Sequence, residues 1–398
     1  MRSTSRSFEV VSLAVLLLLL LTLSLSISSC SSEDSSLGSQ KGGGSQGSQE
    51  GHQGGSKTRT YYIAADPVDW DYAPKGIDEI TGKPFNEDEN VFVEQGEHTI
   101  GDTYRKALYR EYTDDTFSEL KERPEDQEYL GALGPLIRAE VGDTIKVIFK
   151  NNTDFPASVH PHGLFYKKDS EGAPYQDGTS GEQKGDDAVA PGEEYTYTWE
   201  VPQRAGPGPN DPSSIAWMYH SHVDESDDTN TGLMGPIIIT RKGQAEEDGS
   251  PKGVDHEFFT LFTIFDENKS QYLDYNIEHF TGDPEGVDTE DEGFIESNLM
   301  HSINGYVFGN MPLMKMKKGD KVRWYLLGMG TEVDLHTPHW HGNTVMIGGM
   351  RADTVELLPA SMKVAEMVPD NPGVWFYHCH VNDHIDAGMV ARYSVEEE

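Results

Sequence analysis

Apolar and polar side chains alternate with a period of two over much of the chain beyond residue 57. Tyr195, Tyr197 and Trp199 interleave with Glu194, Thr196, Thr198 and Glu200. Ile145, Val147 and Phe149 interleave with Thr144, Lys146 and Lys150 in the same way. A strand turns successive side chains to opposite faces, so each run predicts a strand. Residues 258–264, 321–327 and 390–395 predict further strands in the second half. Glycine- and proline-rich turns separate these runs, the pattern of an all-β chain folded into β-sandwiches. Two domains are expected, 58–245 and 255–398, joined through a charged, glycine-containing stretch near 241–255. Only a short helix is predicted, near residues 116–122.

The start of the chain has a different pattern. Arg2 and Arg6 precede an apolar run over residues 10–27, which reads as an export signal over residues 1–29. The run is also long enough to span a bilayer, so an uncleaved anchor is the competing reading. Ile27, Ser28, Ser29 and Cys30 resemble the motif at which bacterial lipoproteins are processed. That reading makes Cys30 a lipidated N-terminus, with the protein exported and held at the membrane only by its lipid. Residues 30–57 are rich in Ser, Gly and Gln and predict a flexible linker.

Charge and cysteine content narrow the function. The 398 residues carry 68 acidic against 31 basic side chains, a net charge of −37. Such a surface repels phosphate backbones, so nucleic acid is excluded as a partner, and it attracts cations. The two cysteines are Cys30 and Cys379. With Cys30 lipidated, the folded part has one thiol and no disulfide, which reserves Cys379 for chemistry.

That chemistry is concentrated in residues 375–389. His378, Cys379 and His380 alternate as a strand would, sending both histidines to one face and Cys379 to the other. Cys379, His384 and Met389 offer a thiolate, an imidazole and a thioether. With a second imidazole from elsewhere, this is the donor set of a type 1 (blue) copper site with a long axial methionine. His378 and His380 then serve a different metal on the opposite face, and Cys379 links the two sites through the chain.

An internal repeat extends this logic. His339 and His341 align with His160 and His162, and His378 and His380 align with His220 and His222. The first-half counterparts of His336, Cys379 and His384 are Ala157, Ser221 and Ser226, and Leu233 stands near the place of Met389. Four His-X-His pairs therefore recur, while the type 1 donors occur only in the second half. His52, His98, His256 and His279 fall outside the pattern.

These motifs resemble the multicopper oxidases, and more closely the ceruloplasmin and hephaestin ferroxidases, over nearly everything from residue 58 onward. Further marks of the resemblance are residues 255–259, 265–268, 296–305 and 329–336. It implies two cupredoxin-like Greek-key β-sandwich domains and four copper ions per protomer. His336, Cys379, His384 and Met389 would hold the type 1 copper. His160 and His339 would hold the type 2 copper, and His162, His220, His222, His341, His378 and His380 the type 3 pair. Electrons taken from a reductant at Cys379 would pass through His378 and His380 to this cluster, where dioxygen is reduced to water.

Each domain supplies half of the cluster's ligands. The six domains of ceruloplasmin close a ring, and this two-domain chain is expected to close the same ring as a homotrimer, first domain of one subunit against second domain of its neighbour. A monomer with an internal cluster is the alternative. The resemblance further implies an Fe(II) site at Glu296, His301 and Asp383, with Glu332 delivered from the adjoining domain. It also implies a Ca²⁺ site at Gln183, Asp186 and Asp187. A ferroxidase is expected on these grounds. The alternatives are a laccase-like phenol oxidase, a cuprous oxidase, a copper nitrite reductase and a non-enzymatic copper-binding lipoprotein.

Overall fold

The structure, a computed structural model, describes residues 56–397. The expected export signal, Cys30 with its lipid, and the linker as far as residue 55 lie outside the described residues. In the first half the strands are β1 (Thr58–Asp71), β2 (Thr103–Tyr112), β3 (Ile137–Glu140), β4 (Thr144–Asn151), β5 (His160–Pro161), β6 (Phe165–Tyr166), β7 (Glu194–Glu200), β8 (Ser214–His220) and β9 (Met234–Thr240). They form a 5-stranded sheet, β2-β1-β4-β7-β6, and a 4-stranded sheet, β3-β9-β8-β5. The second half contains β10 (His256–Asp266), β11 (Leu299–Ile303), β12 (Met314–Lys317), β13 (Val322–Gly328), β14 (Pro338–Trp340), β15 (Val345–Ile347), β16 (Met350–Ala352), β17 (Met362–Met367), β18 (Gly373–Cys379) and β19 (Val390–Glu396). These make a 6-stranded sheet, β11-β10-β13-β17-β15-β16, and a 4-stranded sheet, β12-β19-β18-β14. No sheet crosses from one half to the other, so the chain is all-β with two sandwiches, as the alternation predicts.

The strands follow the side-chain pattern that predicts them. In β7, Tyr197 and Trp199 are fully buried while Thr196 and Thr198 face solvent. β5 and β14 are edge strands of their sheets, which matters because both carry histidines. The helices are short: α1 (Asn90–Val93), α2 (Glu225–Thr231), α3 (Leu273–Phe280), α4 (Glu292–Ser297) and α5 (Asn382–Asp386). The helix expected near residues 116–122 does not form. The Asp114 carboxylate accepts from both the Thr116 amide and hydroxyl, at 2.9 and 2.6 Å. Phe117 then turns to φ +51°, which ends any helix, and Tyr112 bridges Leu120. A short polar side chain has captured the backbone that a helix would need.

Two features bind the halves together. β1 and β2 pair as far as Asp71 opposite Thr103, where a tight turn would suffice. Residues 72–102 instead leave the first sandwich and cover the second. Within this strap Tyr72, Ala73, Phe92, Val93 and Ile100 join the second core. Asn310 Oδ1 accepts from the Lys75 amide at 2.9 Å, and Arg392 pairs with Glu79 at 2.8 Å.

The second feature is a fully buried ion pair between Lys106 of β2 and Glu267 just after β10. Lys106 Nζ also donates to the Asn230 carbonyl at the end of α2 (2.8 Å) and lies 4.2 Å from the Phe265 ring centre. Tyr72 donates its hydroxyl to Glu267 at 2.5 Å. Burial pushes the Lys106 pKa down and the Glu267 pKa up, each against the pull of the other charge. The pair therefore tolerates loss of both charges far better than loss of one. Glu267→Gln, which strands the ammonium, is expected to lower unfolding stability by about 3 kcal/mol. Adding Lys106→Met should restore most of it in urea unfolding. A double variant no more stable than the single one would refute this account.

Candidate metal centre

β14 and β18 pair antiparallel, with His339 opposite His378 and Pro338 opposite Cys379. Along β18 the pleat sends His378 and Cys379 to opposite sides, so two donor groups form back to back.

On one side, Cys379 Sγ lies 3.9 Å from His336 Nδ1 and 3.6 Å from His384 Nδ1, and the two imidazole nitrogens are 3.2 Å apart. All three residues are buried. His384 comes from α5, and the Cys379 amide donates to the carbonyl of fully buried Met389 at 3.1 Å. Burial alone would push the thiol up. His336, His384 and the amides of Thr337 and Val381 outweigh it and bring its pKa down to about 6. A thiolate flanked by two imidazoles is a soft, charge-matched set for copper.

His336 is held from behind by a residue the sequence reading passed over. Asp334 Oδ1 lies 3.3 Å from His336 Nε2 and is itself buried. Its carboxylate accepts from the amides of Ile264 (2.7 Å) and Thr331 (2.8 Å). A carboxylate behind a ligating histidine sets its tautomer and ring orientation. The spacing was the available signal, since residues two apart in an extended segment share a face.

On the other side, His339 Nδ1 and His341 Nε2 lie 3.2 and 3.1 Å from His378 Nε2. The His380 ring centre is 5.1 Å from that of His339. His378 turns its Nδ1 to the Cys379 carbonyl at 2.7 Å, which aims Nε2 into the group. Burial lowers the His378 pKa to about 4, so its lone pair is available at neutral pH. A cleft of about 310 Å³ lined by His339, His341 and Asp353 opens onto these rings.

The first half repeats this frame. His160 stands opposite His220 across β5 and β8. His162 Nε2 and His220 Nε2 are 3.0 Å apart, and the His160 and His222 ring centres 5.0 Å. Burial lowers His162 to about 4 and His220 to about 3. The Ser221 amide donates to the Leu233 carbonyl as that of Cys379 does to Met389. The Ser158 amide points at Ser221 Oγ (3.1 Å) as that of Thr337 points at Cys379 Sγ (3.4 Å). Where the second half has donors, however, Ser221 donates to buried Asp228 at 2.6 Å. Nothing in the repeat alignment singled out Asp228.

Among the described residues, ring contacts run within each histidine quartet and none joins the two. The first sandwich reaches the second through β8 against β13 and β17, on the 6-stranded sheet, whereas the second quartet lies on the 4-stranded one.

The remaining expected residues are gathered less completely. His301 is buried, 5.2 Å from the His384 ring, and its Nδ1 is bonded to the Leu299 carbonyl at 2.8 Å. Glu296, Asp383 and Glu332 are exposed, and they do not join His301 in a close ligand group among the described residues. Asp186 accepts from the amides of Glu171 and Gly172, and its other oxygen is buried without a partner. Asp187 pairs with Lys184 at 2.9 Å, and Gln183 is exposed. The orphaned oxygen suits a cation, while the Lys184 ammonium already neutralises part of the group.

Comparison with known proteins accords with this geometry. Two family models, both described as multicopper oxidase, match residues 130–244 and 280–398. Ferroxidase HEPHL1 of Homo sapiens is 47% identical over 86% of this chain and 30% of its own length. Hephaestin of Rattus norvegicus is 45% identical over 85% of this chain and 29% of its own. Ceruloplasmin of Rattus norvegicus is 47% identical over 85% and 32%. The chain thus spans about a third of the length of these relatives. In fold it is similar to a blue copper oxidase of Nitrosomonas europaea (TM-score 0.53, 19% identity, 85% of this chain and 86% of that one). It is similar also to a copper nitrite reductase of the same organism (TM-score 0.54, 16% identity, 85% and 94%).

Asp334→Ala is expected to weaken copper at the His336–Cys379–His384 group by about 10- to 100-fold. Metal analysis after dialysis against a graded chelator measures this. Wild-type retention would show that Asp334 does not position His336.

Proposed function

The chain belongs to the multicopper oxidases, and on that premise we propose that it oxidises a small reductant, Fe(II) before others, and reduces dioxygen to water. The observation that carries this reading is covalent. Cys379, in the buried thiolate–imidazole group, is bonded through the backbone to His378 of the histidine group on the opposite face. Copper, when bound, supplies one-electron redox chemistry that none of these side chains has. His336, Cys379, His384 and Met389 would hold one ion, and His160 and His339 a second. His162, His220, His222, His341, His378 and His380 would hold a pair.

The protein's own groups do the rest. Asp334 orients His336, and the Cys379 carbonyl orients His378. Neutral His301 keeps Nδ1 on a carbonyl, which leaves Nε2 for a substrate cation. Glu296, Asp383 and a neighbour's Glu332 would add hard oxygen donors, which favour Fe(III) over Fe(II). Gln183, Asp186 and Asp187 would hold a structural Ca²⁺.

The two separate quartets, each beside a sheet edge, favour a homotrimer in which one subunit's first quartet meets the next subunit's second. Residues 1–57 favour export with a lipid at Cys30. A laccase-like or cuprous oxidase would share every copper ligand. A nitrite reductase is disfavoured because the first-half counterpart of Cys379 is Ser221, bonded to Asp228.

Oxygen uptake with Fe(II), Cu(I), Mn(II) and 2,6-dimethoxyphenol tests the reading, with Fe(II) expected to give the highest kcat/KM. A phenol preference would replace it with the laccase-like one. Glu296→Ala, His301→Ala and Asp383→Ala should each raise the Fe(II) KM and spare phenol oxidation; equal loss of both would refute the iron site. Sedimentation should give three chains per particle. A monomer that retains four coppers would rule out the shared cluster.

A further inference from the structure

We propose that the first-domain strap, residues 72–102, walls the substrate site of the second domain, and that Phe92 is the side chain restricting that site to small cations. This deepens the reading above and rests on it for the identity of the cation.

The argument begins with the strap's length and course. β1 and β2 are already paired at Asp71 and Thr103, so the strap contributes nothing to closing their hairpin. It places α1 on α4, the helix that ends with Glu296 and Ser297. Phe92 of α1 is buried and meets the His301 ring edge-on, with ring centres 5.9 Å apart. His301 in turn stands 5.2 Å from the ring of His384. A line of three rings thus runs from the strap to the thiolate–imidazole group.

The strap is fixed where this contact needs it. Phe85 and Phe92 both pack on Phe308, at 5.6 and 6.4 Å. Phe308 adopts φ +50°, an uncommon conformation for a bulky residue, and its amide donates to the Gly388 carbonyl beside Met389. The Phe308 carbonyl accepts from Glu79 of the strap at 3.0 Å. The wall is therefore apolar and anchored at both ends. Carboxylates Glu296, on α4 against the strap, and Asp383, next to His384 in the chain, remain exposed. An aquated ion needs only those oxygens and one nitrogen. A planar aromatic reductant must approach the His384 ring from the side that Phe92, edge-on to His301, closes.

The test uses the copper-loaded protein and Phe92→Ala. Its kcat/KM for 2,6-dimethoxyphenol relative to Fe(II) should rise on the order of tenfold, the scale of a pocket contact removed. Independently of turnover, carbethoxylation of His301 by diethyl pyrocarbonate, read by peptide mass, should be several-fold faster. Surface His256 serves as the reference and should not change. Phe92→Leu keeps most of the apolar volume and should shift both readouts the same way by less; it serves if the alanine variant fails to fold. Unchanged His301 reactivity and an unchanged substrate ratio would overturn the wall. A wild-type protein inert toward Fe(II), with faster His301 carbethoxylation and a raised kcat/KM for 2,6-dimethoxyphenol itself in Phe92→Ala, would sink the iron reading and leave the wall standing.

Discussion

The centre depends on the register between β14 and β18. Their antiparallel pairing puts His339 across from His378 and Pro338 across from Cys379. A slip of one residue would exchange the two faces of β18, carrying Cys379 to the histidine side and His378 to the thiolate side. What prevents the slip is a turn. Gly342, just after His341, adopts φ +73°, and a Cβ there would lie 2.4 Å from the Trp375 ring. The strand end and the tryptophan of β18 therefore lock only in one alignment. Gly163 and Trp217 do the same in the first half, again with φ +73° and a 2.2 Å approach. The frame is copied even where the donors are not.

The uncopied donors show what such a frame requires when it holds no thiolate. The Ser158 amide still points inward at the position of the missing sulfur, so a buried acceptor must stand there. Ser221 supplies it and donates its own hydroxyl hydrogen bond to Asp228. Asp228 is fully buried, its pKa raised by that burial, and it also accepts from Gln271 beyond β10 at 3.1 Å. The first quartet is thus tied to the second sandwich by the network that occupies the place of a metal site.

The strands and the copper donors were legible because both obey short periods: two along a strand, and one repeat along the chain. Motif matching then brought His336 to Cys379 and His384, and the structure places those three side by side. Asp334 was within reach of the same period-two argument. The Lys106–Glu267 pair, Asp228 and the strap were not: the pair joins segments more than a hundred residues apart, the strap is a loop with no periodicity, and Asp228 meets Ser221 and Gln271 only through the fold. The helix near residues 116–122 failed for a local reason, the capture of the Thr116 amide by Asp114. Glu296, Asp383 and Glu332 lie exposed and join His301 in no close ligand group among the described residues.

The arrangement also explains why neither sandwich is a self-sufficient unit. The first sends its longest loop over the second and receives Glu267 and Gln271 in return. Contacts of this kind leave the two sandwiches little freedom to move apart, since separation would expose the apolar side chains that the strap buries in the second core. A rigid pair presents its two histidine quartets at a constant spacing. That is the geometric condition for closed rotational assembly, because a heterologous contact closes a ring only if every copy repeats the same angle. Part of the stiffness at this junction comes from Gln271 and Asp228, whose bond to Ser221 falls between His220 and His222.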